Sequence, residues 1–244
     1  MKNIVIAAYL RSPLTPAHKG SLKKVRADEM AAQVVKALLK QTKVKPEKIE
    51  DLIMGCAFPE GEQGFNVAKL VGFLAGLPQS TAAYTLNRFC GSSMQAIHNA
   101  AGMIQMGAGE AYICAGMENM SRTPMTGFNP LPHPGLYEKM PEAYIGMGET
   151  AENVVDKYKI SREEMDEFAT LSHQKAAKAQ ESGHFDDEIV PIKDGKNTIS
   201  KDECIRPETT AEGLSGLKPA FKEGGSVTAG TSSPLTDGVC AVLI

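Results

Sequence analysis

The chain has 244 residues, 42% of them hydrophobic, enough to bury a sizeable core and to exclude disorder throughout. Lys plus Arg number 26 against 29 Asp plus Glu, a net charge of −3 that lacks the basic footprint of a nucleic-acid binder. Five cysteines include no Cys-x-x-Cys pair, which argues against a disulfide framework and a zinc ribbon and fits a reduced, cytoplasmic compartment. No metal site is expected. No apolar run reaches bilayer length, and Met1-Lys2-Asn3 leads into only a short apolar stretch, so neither a membrane span nor a signal peptide is expected.

Ile4 to Ala8 is an unbroken apolar run and predicts a strand covered on both faces, as in a parallel sheet. Ala27 to Lys40 carries a helical stripe at Met30, Val34, Ala37 and Leu38. Leu52 to Ala57 predicts a second strand, Asn66 to Leu74 a short helix, and Ala82 to Leu86 a third strand. Ser92 to Met106 follows as a helix and Ala111 to Ala115 as a fourth strand. This alternation implies an α/β domain. From Asn119 to Thr236 the chain turns rich in Pro, Gly and charge. A capping box at Ser161 and Glu164 starts one helix there, and Gly183 lies just past its end. Val239 to Ile244 reads as a fifth strand returning to the sheet. The expected fold is a mixed five-stranded sheet with helices on both faces. Residues 1–118 plus 237–244 form it, and 119–236 are a long inserted loop domain.

The chemistry gathers at Asn87-Arg88-Phe89-Cys90-Gly91-Ser92-Ser93. Cys90 falls where a strand ends and a helix begins, and the free N–H groups of a helix N-terminus favour thiolate over thiol. Gly91 and two serines leave room for another molecule beside the sulfur. This is the layout of a nucleophile elbow. Position alone fits an inert core cysteine equally well. Cys56, Cys114 and Cys240 sit in apolar strand runs and are expected to be inert, and Cys204 lies in a polar segment. His98, eight residues into the helix, is about 12 Å along the axis from Cys90 and reads as a packing residue. His18, His133, His173 and His184 receive no role.

The segment around Cys90 resembles the nucleophile motif of the thiolases. Gly116-Met117-Glu118-Asn119-Met120-Ser121 is similar to the stretch after that family's fourth strand. Met147-Gly148-Glu149-Thr150-Ala151-Glu152-Asn153 resembles its loop-domain helix start. Arg206-Pro207-Glu208-Thr209-Thr210 and Val227-Thr228-Ala229-Gly230-Thr231-Ser232-Ser233 resemble its coenzyme A stretches. Five motifs in order span the chain. Gly146, where biosynthetic members tend to carry a histidine, leans toward the fatty-acid-degrading, β-oxidation branch.

The resemblance implies an acyltransferase that cleaves 3-oxoacyl-CoA, or condenses acetyl-CoA in reverse, through an acyl-cysteine at Cys90. It implies that Ser233 and Ala229 line the pantetheine arm of coenzyme A, that Arg206 packs on its adenine, and that Met147 contacts the acyl or pantetheine part. Coenzyme A and acyl-CoA enter as substrates, with no tightly bound cofactor. In that family the base, the oxyanion donors and a second cysteine come from a second domain marked by Asn-Glu-Ala-Phe, Gly-His-Pro and Cys-x-Gly runs. The first two runs do not occur here. The chain therefore reads as a thiolase N-terminal half, the second domain absent and turnover not expected from it alone. The other readings are a non-catalytic coenzyme A-binding or assembly module, and a ketoacyl-synthase-type condensing enzyme. Phe89 to Gly109 carries no charge, so the nucleophile helix has no solvent face of its own, and a homodimer or higher oligomer is expected, with no nucleic-acid or membrane partner.

Overall fold

The computed structural model describes residues 3–244; the Met1-Lys2 start read above lies outside the described residues. The chain divides into two compact units. The first takes in the chain as far as Asn129, together with Asp186–Glu203 and Leu235–Ile244, and the second is Pro130–Phe185 with Cys204–Pro234.

The strands of the first unit are β1 (Ala8–Arg11), β2 (Thr15–Pro16), β3 (Asp51–Gly55), β4 (Ala82–Leu86), β5 (Tyr112–Asn119), the hairpin β6 (Ile192–Asp194) and β7 (Asn197–Ile199), and β8 (Thr236–Leu243). Its helices are α1 (Ala27–Thr42), α2 (Val67–Ala75) and α3 (Ser92–Met106). The main sheet runs β1-β8-β5-β3-β4, with the two-residue β2 also pairing to β8. Only β3, β4 and β5 are parallel, and β8 runs antiparallel to both β5 and β1.

Side-chain alternation along these strands feeds two cores. On one face Met30, Val34 and Leu38 of α1 and Val67 and Val71 of α2 pack against Leu52, Met54, Ile113, Ala115, Val239 and Ala241. On the other, Ala96, Ala100 and Ile104 of α3 pack against Ile53, Tyr112, Cys114 and Ile244. Gly107, at φ +79°, ends α3 in the left-handed conformation that a side chain disfavours.

The start of the chain differs from the sequence expectation. The first strand is Ala8–Arg11, and Val5 and Ile6 before it are 64% and 56% exposed. The apolar run of 4–8 is not a doubly covered parallel strand, because β8 returns antiparallel between β5 and β1 and leaves β1 at the edge. The charge-rich insertion also differs from its expected span of 119–236. Residues 119–129 and 186–203 belong to the sheet unit. Arg11 holds the latter stretch through Glu188 at 2.7 Å and Asp202 at 2.8 Å, while Ile192 is wholly buried in the first core. Charges that read as solvent-facing are ion-pair partners of a strand residue.

The second unit contains α4 (Pro134–Lys139), α5 (Met147–Tyr158), α6 (Arg162–Glu181) and α7 (Ala211–Ser215). His133 caps α4, its Nδ1 accepting from the Leu136 N–H. The capping box of α6 is formed, with the Glu164 N–H donating to Ser161 Oγ and the Ser161 N–H to Glu164 Oε2. No helix among the described residues is long and apolar enough to cross a membrane.

The N-terminus of α3 lies directly on two strand glycines. A Cβ added to Gly55 would sit 2.5 Å from the backbone of Ser92 and Ser93, and one on Gly116 would sit 2.7 Å from Ser93 Cβ. Gly55→Ala therefore has to push helix backbone off the sheet. The expected loss is about 1–3 kcal/mol, the usual range for overpacking a tight core, read as a lowered denaturant midpoint at unchanged slope. A midpoint equal to the parent would show that α3 is not seated on this glycine.

Candidate active site

Between β4 and α3 the chain makes a tight turn whose geometry is set residue by residue. Phe89 takes φ +45°, a left-handed value costly for a side chain with a Cβ. Asn87 Oδ1 accepts the Phe89 N–H at 2.8 Å, and the Gly91 N–H returns to the Arg88 carbonyl at 3.0 Å. The buried Ser92 hydroxyl ties both ends, accepting from the Arg88 N–H at 2.8 Å and donating to the Phe89 carbonyl at 2.6 Å. The Phe89 ring meets that of Phe58 with centroids 6.1 Å apart.

Cys90 stands at the top of this turn, exposed, and its sulfur has no hydrogen-bond partner among the described residues. The other thiols are placed differently. Cys56 and Cys114 are buried, and burial pushes both up to about 12, helped at Cys56 by the Glu118 carboxylate and at Cys114 by Asp51. Cys114 opens the one Cys-x-Gly run in the chain, Cys114-Ala115-Gly116, and its place inside β5 makes it unfit to exchange protons with a ligand. Cys240 departs from the expected inert core cysteine: it is exposed on the α3 face of the sheet. It pairs with Gly116 beside Ser93 at the α3 N-terminus, and burial of its sulfur there pushes the thiol up. Cys204 is half-buried. His98 also departs from expectation, since it lies on the exposed side of α3 and does not pack.

The remaining candidate residues belong to the second unit. Arg206 and Ala229 line one cavity of about 410 Å³, with Glu208, Thr209, Thr210, Gly213, Leu214, Leu217 and Gly230. Ser233 and Met147 are exposed and lie outside that lining. Two anchors shape the cavity. Glu152, buried in α5, accepts the N–H groups of Ser226 and Val227 at 3.0 and 2.8 Å and so fixes the strand of chain that leads to Ala229. Arg162 donates to the carbonyls of Leu214 and Leu217 at 2.6 and 3.1 Å. The Arg206 N–H donates to His173 Nδ1 at 3.2 Å, while its guanidinium lies 3.0 Å from Nε2 of the same ring. A neutral imidazole accepts at only one nitrogen, so this ring cannot satisfy both donors and the guanidinium keeps capacity for another acceptor. Burial, then the nearby Arg206, lowers the His173 imidazole, which keeps it neutral. Among the described residues no group of three or more His, Cys, Asp or Glu is arranged to hold a metal ion.

Sequence reasoning missed the part of the site beneath the turn. Glu118, two residues beyond Gly116 on β5, accepts the Ala57 N–H at 2.8 Å and a hydrogen bond from Gln63 Nε2 at 2.7 Å. The two partners are 61 and 55 residues away in sequence, so no local signal announces them.

The profile of the family described as "Thiolase, N-terminal domain" matches residues 4–244. The 3-ketoacyl-CoA thiolase of Bacillus subtilis is 47% identical over 257 aligned positions, which cover 100% of this chain and 66% of that protein. The crystal structure of human mitochondrial 3-ketoacyl-CoA thiolase in complex with CoA is 36% identical with a TM-score of 0.86, covering 98% of this chain and 63% of that one. The dimeric peroxisomal thiolase of Saccharomyces cerevisiae is 33% identical with a TM-score of 0.90, over 98% and 63% of the two chains. The chain thus spans just under two thirds of the length of the curated relative.

The environments of the five cysteines set an order of reaction. Iodoacetamide near pH 8 should label Cys90 well before Cys56 and Cys114, because a thiol near 12 is about 0.01% thiolate at that pH and is also covered. Raising the pH should narrow the gap, since a thiol near 12 gains about tenfold in thiolate per pH unit, and the cover over Cys56 and Cys114 should keep it open. Peptide mapping after limited labelling reads the order, and Cys56 or Cys114 ahead of Cys90 would contradict the exposed turn.

Proposed function

Because the chain belongs to the thiolase family, we propose that it carries the nucleophile and part of the coenzyme A site of a 3-ketoacyl-CoA thiolase. The observation that carries this reading is Cys90, exposed on a strained turn at the N-terminus of α3 while Cys56 and Cys114 are buried and inert. The Cys90 thiolate attacks C3 of a 3-oxoacyl-CoA. The C2–C3 bond then breaks, its electron pair leaves on C2 of the acetyl-CoA portion, and C2 takes a proton. An acyl thioester remains on Cys90, and the thiol of a second coenzyme A takes the acyl group and returns the cysteine. Splitting the cleavage this way replaces one hard step with two easier ones.

Arg206 is the residue proposed to pack on the adenine, since a guanidinium plane suits a purine face and this one has hydrogen-bonding capacity left over. Ala229 offers apolar wall to the pantetheine arm, and Ser233 and Met147 are proposed contacts further along it. The human relative crystallised with CoA supports that ligand class. No disulfide joins the cysteines among the described residues, which favours a cytoplasmic location. A thiolase must also remove the thiol proton, and Cys90 has no partner among the described residues to take it. The 244 residues by themselves are therefore proposed to accept one acyl group without turning over.

Acetyl-CoA should add one acetyl group per chain, on Cys90, and Cys90→Ala should add none; intact-mass measurement followed by peptide mapping reads both. Arg206→Ala should weaken coenzyme A binding by about 3- to 10-fold in calorimetry. Acetylation that persists in Cys90→Ala would remove the nucleophile assignment, and unchanged affinity would remove the adenine from Arg206.

Self-association through the edge of the sheet is proposed as well. β4 is the edge strand of the main sheet, and beside it Phe65, just before α2, and Leu70, Phe73 and Leu74 on α2 are exposed, an apolar edge that a monomer rarely keeps. The yeast relative is described as dimeric. Phe65→Glu with Ala82→Lys, both at exposed positions, should halve the mass seen by light scattering. An unchanged mass would place the contact elsewhere.

A further inference from the structure

We propose that Glu118 and Asn87 are positioning residues that hold the Cys90 turn through one shared residue, Ala57, Glu118 on its N–H and Asn87 on its carbonyl. The inference rests on the reading of Cys90 as the acylated nucleophile and extends it to groups that do not touch the sulfur.

The chain of contacts starts inside the sheet. Glu118 follows Gly116 by two residues on β5, so its side chain projects from the face that carries α3. Its carboxylate accepts from the Ala57 N–H at 2.8 Å and from Gln63 Nε2 at 2.7 Å, with the Cys56 thiol 3.8 Å away. Gln63 is itself wholly buried and spent on both sides: Nε2 also donates to the Phe58 carbonyl at 2.9 Å, and Oε1 accepts the Asn119 N–H at 2.6 Å. The loop after β3 is thereby pinned at Ala57 and Phe58. The Ala57 carbonyl, the other side of the pinned residue, accepts from Asn87 Nδ2 at 2.9 Å. With the amide nitrogen held there, Asn87 Oδ1 faces the turn and accepts the Phe89 N–H. Phe58 adds a ring contact to Phe89 from the same loop.

Phe89 needs this support. A side chain at φ +45° persists only where its surroundings over-determine it. The Ser92 hydroxyl holds the turn from the helix side. The Asn87–Ala57–Glu118 line holds it from the sheet. Burial pushes the Glu118 carboxyl above its usual range while the hydrogen bonds from Ala57 and Gln63 oppose the shift, and those two donors fix where the group sits. The ladder of β5 to β3 ends at Gly116, and beyond it the Glu118 side chain, rather than strand pairing, ties β5 to the chain that follows β3.

The test compares Glu118→Gln, Asn87→Asp and the double variant with the parent. Glu118→Gln keeps the shape but sets an amide donor against donors. Asn87→Asp keeps the acceptor for Phe89 and loses the donor to Ala57. Two readouts are taken on the folded chain: hydrogen exchange of the Phe89 amide, and the alkylation rate of Cys90, with labelling of Cys114, which does not touch Glu118, as the reporter of general loosening. Both single variants should speed Phe89 exchange and slow Cys90 alkylation by about tenfold, at unchanged Cys114 labelling. The double variant should do no more than the stronger single one, because the two act in series. A Phe89 amide as protected in Glu118→Gln as in the parent would overturn the proposal. So would additive effects, or a parallel rise in Cys114 labelling, which would show general loosening. Should Glu118→Gln fail to fold, Asn87→Asp decides alone: parent-like exchange would show that Asn87 caps the turn without help from Ala57. Acetyl transfer from acetyl-CoA to Cys90 is measured beside these. Its loss with the variant effects intact removes the thiolase reading and leaves the relay, and the reverse pattern removes only the relay.

Discussion

The site depends on one steric constraint, the approach of the α3 N-terminus onto β3 and β5. A helix normally rides about 10 Å above a sheet on a layer of side chains. Here Gly55 and Gly116, paired across the two parallel strands, leave that layer out, and the backbone of Ser92 and Ser93 descends into the gap. The rest of the turn follows. With its helix end fixed on the sheet, the chain has only the residues from Asn87 to Gly91 in which to leave β4 and enter α3. That short span forces Phe89 into the left-handed region and lifts Cys90 into solvent. The nucleophile is exposed because its neighbours are pulled in.

The second unit solves a different problem with a similar device. A segment outside any helix or strand, Val227 to Ser233, held by a single bridge from Thr228 to Pro219, has to keep its shape without a sheet around it. A buried carboxylate does this in place of a sheet neighbour: Glu152 takes the N–H groups of Ser226 and Val227. Gly225 is required beside it, since a Cβ there would fall 2.3 Å from Glu152 Oε1. Each unit thus couples an acidic residue on a regular element to the amides of an irregular one, Glu118 to Ala57 and Glu152 to Ser226 and Val227. Amide N–H groups of irregular chain have no ladder partner, and a buried carboxylate is the strongest acceptor a side chain offers them.

How much of this is legible in the sequence depends on the range of each interaction. The bounds of α3 can be read because glycines stand at both ends and no charge interrupts it. The place of Cys90 at the strand–helix junction comes from the same local signals. The edge position of β1 is invisible in the run Ile4 to Ala8, because it depends on β8, more than two hundred residues later. The return of 186–203 to the sheet rests on Arg11 meeting Glu188 and Asp202, and composition counts those acids as surface. Glu118 lies inside a motif that could be quoted letter by letter, yet its partners Ala57 and Gln63 are fixed only by strand register. His98 shows the converse error. A histidine in an uncharged helix suggests packing, whereas the face it shares with Met94 is uncovered among the described residues.

That uncovered face completes the physical picture of α3. The helix buries one line of residues, Ser92, Ala96, Ala100 and Ile104, spaced by four, and these are small until the last. Small residues bring the helix axis close to the sheet, the same approach that the two glycines permit at its N-terminus. A helix seated this deeply meets the strands along a narrow stripe, and Met94, His98 and Gly102 are left on the outside without a single charge among them. The absence of charge is therefore not explained by burial within the described residues. An outer face free of charge and lined with small or flexible side chains suits a second close-packed surface, and the cysteine turn stands at the end of that same face. A surface packed on this face would also approach the Cys90 turn, so the packing of this helix and the access of an acyl group to its sulfur would be one geometric problem.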